Sequence, residues 1–110
     1  MTRDDFILPL VSGRVVLDCG GADHNLFSSK LRNGEWLHEE ICKVARSVVG
    51  IDISAKSVDR LNATGDYNFI CADVECLNFI DEFEVVVAGE IIEHVYNPGA
   101  MLDSIWKSLK

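Results

Sequence analysis

Short apolar runs alternate along this chain with amphipathic segments, and few folds accommodate such an order. The apolar runs lie at residues 14–18, 48–53, 67–72 and 83–88. Each run is too short for a typical helix and is bounded by turn residues, so each is predicted to be a strand. Strands that alternate with helices at this spacing form a parallel, doubly wound α/β sheet of the Rossmann-like type. Because both faces of such a sheet are covered, its strands are apolar throughout rather than alternating.

Helices are predicted between and after these runs. The first spans roughly residues 35–46, where apolar side chains recur at helical spacing. A second begins at the N-cap residue Ser54, and a last one opens at Asn97 and Pro98. The face that the last helix is expected to bury consists of Met101, Leu102, Ile105 and Leu109.

Each predicted strand ends at or near an acidic residue. These residues are Asp18, Asp52, Asp73 and Glu90. Because ligands of doubly wound sheets bind beyond the carboxyl ends of the strands, the four carboxylates are expected to line one ligand site. S-adenosylmethionine suits such a site, since it has an ammonium group, a sulfonium and several hydroxyl and amine donors, but no phosphate.

A dinucleotide cofactor fits the first turn less well. Alanine and asparagine, at Ala22 and Asn25, replace the second and third glycines of the G-x-G-x-x-G pattern. Asp18 and Asp23 would also flank the pyrophosphate and repel it. An NAD-dependent oxidoreductase therefore stays an alternative reading rather than the first one.

Four segments of the chain resemble, in order, the motifs of the class I S-adenosylmethionine-dependent methyltransferases. They are residues 16–22, 49–54, 70–74 and 83–99. The last of them is similar to the ubiquinone-biosynthesis-like branch, which acts on small molecules. The resemblance covers residues 6–110 and implies a methyl transfer from S-adenosylmethionine to an acceptor that is expected to be a small molecule, without naming it.

The resemblance also implies roles for individual residues. Asp18 and the turn after it would hold the methionine part of the cofactor, and Asp52 would hold the ribose. Asp73 would border the adenine, and Glu90 would face the sulfonium. The full set of cofactor-binding residues expected in this way is Asp18, Gly20, Gly21, Ala22, Asp52, Ile53, Asp73, Val74 and Glu90.

A cluster after the fourth predicted strand has three possible roles. Glu90, Glu93 and His94 would share one face of a helical turn, where they could bind a divalent cation. His94 could instead be a catalytic base near the substrate. The third possibility is that Glu93 and His94 only cap or orient the loop before the last helix.

Residues 1–110 are expected to form a single domain that lacks the C-terminal part of the family fold. That fold has seven strands, and this chain supplies four with their helices, so it is truncated after the fourth strand and its helix. The run at residues 85–88 would then present an unpaired apolar edge that invites self-association. A non-catalytic fragment or interaction module is accordingly a further alternative.

Composition excludes some partners. The net charge is −8, and no Lys or Arg occurs between Leu61 and Trp106, so a nucleic-acid surface is not expected. No apolar run approaches the roughly 18 residues of a membrane span, and the N-terminus does not resemble a signal peptide. A cytoplasmic protein without a membrane partner is expected.

Several side chains are expected to have structural roles only. The four cysteines lack zinc-site spacing and are expected to be reduced, mostly buried thiols. His38 lies among polar helix residues and is expected to be solvated. Trp36 and Trp106 are expected to pack against the core.

Overall fold

The structure, a computed structural model, describes residues 3–20, 37–88 and 95–110. Several residues with a predicted role lie outside these ranges, and for them the sequence-based expectations stay predictions. They are Gly21, Ala22, Trp36, Glu90, Glu93 and His94.

The predicted alternation of strands and helices is confirmed in the described residues. The strands are β1 (Val15–Cys19), β2 (Ser47–Asp52), β3 (Phe69–Cys71) and β4 (Val85–Val87). The helices are α1 (Arg3–Val11), α2 (Leu37–Val44), α3 (Ala55–Asn62) and α4 (Pro98–Ser108), and a 3-10 turn covers Val74–Cys76. β3 is shorter than the run at 67–72 because it pairs only with the last three residues of β2.

All strand pairs in the described sheet are parallel, in the order β3-β2-β1-β4. β1 is central and pairs with β2 over its full length, from Val15 opposite Ser47 to Cys19 opposite Ile51. This is the α/β, Rossmann-like topology that the sequence predicts. It brings the carboxyl ends of β1, β2 and β3 side by side.

Apolar clusters cover both faces of the sheet. Successive residues of a strand point to opposite faces, so β1 sends Val16 to the side of α1 and α2 and Leu17 to the side of α4. On the first side Val16 packs with Val11 and Ile41. On the second side Leu17 packs in one cluster with Met101. Burial on both faces explains why the strands are apolar at every position.

Both predicted helix caps are confirmed. The Ser54 hydroxyl accepts a hydrogen bond from the Ser57 amide at 3.3 Å, ahead of α3. The Asn97 side chain accepts from the Ala100 amide at 3.0 Å, ahead of α4. These bonds satisfy amide groups that a helix N-terminus leaves without an intrahelical partner.

The buried face of α4 differs from the predicted one. Met101 is buried together with Ser104 and Ser108, whereas Leu102 is 58% exposed. Ser104 can be buried because its hydroxyl accepts a hydrogen bond from the Leu77 amide at 2.7 Å. Trp106 follows Leu102 by one helical turn and is 77% exposed, so the expectation that it packs against the core is wrong.

The residues after α4 return to the outer side of the sheet. Leu109 forms a parallel bridge with Phe83, and the Lys110 amide donates to the Phe83 carbonyl at 2.9 Å. Within the described ranges β4 is the edge strand of the sheet, as the sequence predicts. No helix among the described segments has the length and apolar character needed to cross a membrane.

Replacing Gly50 with alanine is expected to destabilise the protein by about 1–3 kcal/mol, the usual cost of overpacking a core. A Cβ atom at Gly50 would lie 2.3 Å from Cε1 of Phe69, whose buried ring cannot easily move. Gly99→Ala is the matched control, since a Cβ there comes no closer than 3.4 Å to another residue. Urea unfolding of both variants measures the difference, and equal midpoints would contradict this packing.

Candidate functional site

Three of the predicted acids lie at the carboxyl edge of the sheet: Asp18 and Asp52 near the ends of β1 and β2, and Asp73 just after β3. Asp18 is in register with Gly50, and Asp52 is in register with Cys71. Because Gly50 and Asp52 are two residues apart on β2, Asp18 and Asp52 project from the same face. Asp73 follows two residues after the end of β3.

The carboxylate of Asp52 is fixed by the turn that follows β2. Its Oδ1 accepts a hydrogen bond from the Ser54 amide at 2.9 Å, which is a local turn typical of aspartate. The side chain of Asp52 is buried, whereas that of the next residue, Ile53, is 72% exposed. A fixed carboxylate therefore lies beside an exposed apolar surface at the end of β2.

Asp73 is held in a similar way at the end of β3. Its Oδ1 accepts from the Glu75 amide at 2.9 Å and caps the 3-10 turn. The next residue, Val74, is buried in the apolar cluster that contains Met101.

Glu75 connects this edge to the segment that precedes α4. Its two carboxylate oxygens accept hydrogen bonds from the amides of Tyr96 and Asn97, each at 3.0 Å. The contacts span more than twenty residues, and no local sequence signal indicates them. These two hydrogen bonds hold the segment that precedes α4 next to the turn that follows β3.

Gly20 begins the turn after β1. Its φ of 74° lies in the left-handed region that glycine adopts without strain. Its amide donates to the Ile51 carbonyl at 2.9 Å, which extends the pairing of β1 with β2 by one residue. The first turn therefore starts directly beside the end of β2.

Asp18 forms a buried pair with His38, which the sequence did not predict. The His38 Nδ1 lies 2.7 Å from Oδ2 of Asp18, and the two residues are 1% and 4% exposed. The expectation that His38 is solvated is therefore wrong. On α2 it faces inward with Ile41, three residues later, and its ring centroid lies 4.5 Å from that of Phe69.

The surroundings of His38 favour its charged form. Burial lowers the pKa of the imidazole, but hydrogen bonds with Asp18 and then Cys42 outweigh it and raise the pKa to about 9. The ring is consequently an imidazolium at neutral pH, which compensates the charge of the buried Asp18 carboxylate.

The stability of the fold is expected to fall as the pH rises from 6.5 to 9. Because the pKa of His38 is about 9 in the folded protein and 6.5 without these contacts, the stabilisation is complete below pH 6.5. It is lost as the pH rises through 9, by about 3 kcal/mol. Urea unfolding at pH 6 and pH 9.5 measures this, with His38→Asn as the reference that lacks the titrating ring. An identical pH dependence in both proteins would contradict the assignment.

The cysteines only partly match the expectation of buried thiols. Cys19 is buried, and burial together with the Asp18 charge raises the pKa of its thiol to about 12. Cys42 is half-buried, Cys71 and Cys76 are exposed, and all four are free. In the part of the chain that the structure describes, His, Cys, Asp and Glu side chains form no group of three suited to a metal ion.

The chemistry of this edge suits a cationic, hydroxyl-rich ligand. Carboxylates accept hydrogen bonds and attract positive charge, and Asp18, Asp52 and Asp73 lie at or just after the carboxyl ends of adjacent strands. Ile53 adds an exposed apolar surface, and Gly20 allows backbone to come close to a ligand. These features fit an adenosyl sulfonium compound better than a pyrophosphate.

Comparison with known proteins identifies relatives of this chain. The model of a family described as "Methyltransferase domain" matches residues 33–110. A ubiquinone biosynthesis O-methyltransferase from Nitrobacter winogradskyi is 28% identical over 81 residues, which cover 67% of this chain and 30% of the relative.

Solved structures with the same fold include two methyltransferases. The S-adenosylmethionine-dependent methyltransferase from Mesorhizobium loti superposes with a TM-score of 0.68 at 23% identity, over 97% of this chain and 46% of the other. The 1,6-didemethyltoxoflavin-N1-methyltransferase from Burkholderia thailandensis, solved with bound 1,6-didemethyltoxoflavin and S-adenosylhomocysteine, superposes with a TM-score of 0.62 at 20% identity, over 97% of this chain and 46% of the other.

These matches agree with the fold and with the order of the motifs. The chain spans 30% of the curated relative and less than half of either solved structure. The oxidoreductase alternative receives no support from them. The family match covers well over half of the sequence. The chain belongs to the methyltransferase domain family, among the class I S-adenosylmethionine-dependent methyltransferases.

Proposed function

We propose that this chain binds S-adenosylmethionine at the carboxyl edge of its sheet and belongs to an enzyme that methylates a small molecule. The observation that carries the proposal is that Asp18, Asp52 and Asp73 lie at or just after the carboxyl ends of three adjacent strands of a methyltransferase-family fold. The small-molecule acceptor is supported by the similarity to a ubiquinone biosynthesis O-methyltransferase and to a toxoflavin-precursor N1-methyltransferase.

Each acid has a role that follows from its position. Asp18, at the end of β1 and next to the Gly20 turn, binds the ammonium group of the methionine part. Asp52 accepts hydrogen bonds from the ribose hydroxyls, and Ile53 packs against the adenine. Asp73, with the backbone of the residue after it, borders the exocyclic amine of the adenine.

The remaining predicted residues complete the site in this proposal. The backbones of Gly21 and Ala22 continue the methionine-binding turn, and Glu90 faces the sulfonium. His94 is the candidate catalytic base. A divalent cation bound by Glu90, Glu93 and His94 is the alternative use of that segment.

The cofactor, when bound, supplies an activated methyl group on its sulfonium. The protein's contribution is mainly to hold that group in line with the acceptor, since correct positioning alone lowers the barrier of a two-reactant step by several kcal/mol. Fixed carboxylates help, because hydrogen bonds with their own turns already orient Asp52 and Asp73 before a ligand arrives. The edge of the sheet is thus organised in advance for the cofactor.

Thermal denaturation with added ligands tests the proposal. S-adenosylhomocysteine at 100 times its Kd is expected to stabilise the fold by about 2.7 kcal/mol. For a domain of this size the melting temperature then rises by on the order of 10 °C. NADH at the same concentration is expected to leave the melting temperature unchanged. Protection by NADH and not by S-adenosylhomocysteine would overturn the proposal in favour of a dinucleotide-binding protein.

A further inference from the structure

The carboxylate of Asp18 is supported differently from those of Asp52 and Asp73. The latter two accept hydrogen bonds from backbone amides two residues later, so their orientation is a local property of each turn. Asp18 is oriented by His38, which is twenty residues away on another element. Its position therefore depends on how α2 packs against β1.

The imidazole of His38 is itself held firmly. It is buried on α2 beside Ile41. Its ring centroid lies 4.5 Å from that of Phe69 and 5.9 Å from that of Tyr67. Gly50, opposite Asp18 on β2, leaves the space that the Phe69 ring occupies. With aromatic rings against it, the imidazole cannot rotate away from the carboxylate without disturbing the core.

We propose that His38 is a positioning residue for cofactor binding, which fixes Oδ2 of Asp18 so that the other carboxylate oxygen is presented to the ammonium group of the cofactor. This inference rests on the proposed function and adds to it a residue of α2 that does not itself contact the ligand. A carboxylate that is 4% exposed would otherwise be costly to keep ionised beside an apolar core.

The charged and titratable groups around His38 are consistent with this role. Among the described residues they include Asp18 from β1, Cys42 from α2 and Tyr67 from the segment before β3. The pKa of Tyr67 is raised to about 12, by burial first and then by Glu39 and Asp66, so the phenol stays neutral below that pH. With its own pKa of about 9, His38 faces Asp18 as a cation at neutral pH.

Calorimetry with two ligands tests the inference. S-adenosylhomocysteine contains the methionine part, whereas adenosine lacks it and probes only the ribose and adenine contacts. His38→Leu is expected to weaken S-adenosylhomocysteine at least tenfold while adenosine affinity changes less than twofold. His38→Asn, whose amide can donate from nearly the place of Nδ1, is expected to recover most of the lost affinity. Val11→Ala, a core truncation on α1, controls for general loss of stability and is expected to leave both affinities unchanged.

A measurement on the unaltered protein covers the case in which His38→Leu does not fold. In ¹⁵N spectra of the imidazole, saturation with S-adenosylhomocysteine is expected to shift the His38 Nδ1 resonance. Saturation with adenosine is expected to leave that resonance unchanged. Unchanged resonances with both ligands, or equal losses of both affinities in a folded His38→Leu, would overturn the positioning role. If S-adenosylhomocysteine binds and Asp52→Asn weakens it while the His38 variants do not, only this inference fails. If S-adenosylhomocysteine does not bind the unaltered protein, the proposed function fails as well.

Discussion

Asp52→Asn is expected to lower the affinity for S-adenosylhomocysteine by about two orders of magnitude. A carboxylate can accept hydrogen bonds from both ribose hydroxyls, and bonds to a charged group contribute about 1.5–3 kcal/mol each. Asparagine keeps one acceptor oxygen, which can still bind the Ser54 amide as Asp52 does, but its NH₂ group cannot accept from a hydroxyl. Each 1.4 kcal/mol of binding free energy changes the Kd tenfold. Losing most of one or two such bonds therefore gives the expected change of about two orders of magnitude in affinity.

The matched control for this change is Asp103→Asn. This change also removes one negative charge. Asp103 forms an exposed ion pair with Lys107 on α4, and this pair does not lie at the carboxyl edge of the sheet. Exposed ion pairs contribute at most about 1 kcal/mol, and no effect on ligand affinity is expected. Isothermal titration calorimetry of the two variants gives the comparison. Equal affinity in Asp52→Asn and the unaltered protein would contradict the ribose assignment.

Asp18→Leu is expected to destabilise the fold by about 3–5 kcal/mol at pH 7, a large share of a typical domain's stability. The substitution leaves the buried His38 imidazolium without its anion, so the ring must either lose its proton or remain charged in an apolar environment. Chemical denaturation monitored by fluorescence or circular dichroism measures the effect. His38→Leu alone is expected to cost a similar amount, because it leaves the Asp18 carboxylate uncompensated.

The double variant Asp18→Leu with His38→Leu separates the pair from the fold around it. Replacing both charges with apolar side chains is often neutral, so the double variant is expected to be more stable than either single variant. That non-additivity measures the interaction between the two side chains. A double variant whose loss equals the sum of the single losses would show that the buried pair does not contribute to stability.

The fold could be predicted because local pattern and topology agree. Each strand is a short apolar run, and Ser54 and Asn97 are caps whose side-chain chemistry specifies a helix start. The positions of Asp18 and Asp52 also follow from the sequence, since parallel strands must bring their carboxyl ends to one edge. The predicted buried face of α4 is wrong for Leu102, because Leu102 lies about 100° around the helix axis from the buried Met101.

The contacts that organise the site depend on tertiary packing, so local pattern does not identify the partner of each side chain. A histidine on a helix is usually solvated or partly exposed, and only the packing of α2 on β1 brings His38 to Asp18. A signal did exist, because His38 falls on the same helical face as Ile41 and Ala45. No comparable signal exists for Glu75. The backbone amides that donate to it lie just before α4, more than twenty residues later in the chain.

The identity of the methyl acceptor does not follow from this chain, and the comparison with its relatives shows why. Its described elements form the edge at which we propose that the cofactor binds, and the chain covers less than half of the two solved methyltransferases. In the proposed function, the region around Glu90 and His94 contributes some of the groups that face the methyl acceptor. Within one fold, different substrates are selected by such site residues rather than by the sheet itself.

The most direct test of the central claim is to map the ligand on the protein by backbone NMR. Addition of S-adenosylhomocysteine is expected to shift the amide resonances of Gly20, Ile53 and Val74, which lie in the turns that follow β1, β2 and β3. Amides at the opposite edge, such as those of Ser47 and Asn68, are expected to stay in place. Shifts confined to that opposite edge, or no shifts at saturating ligand, would contradict a cofactor site formed by Asp18, Asp52 and Asp73.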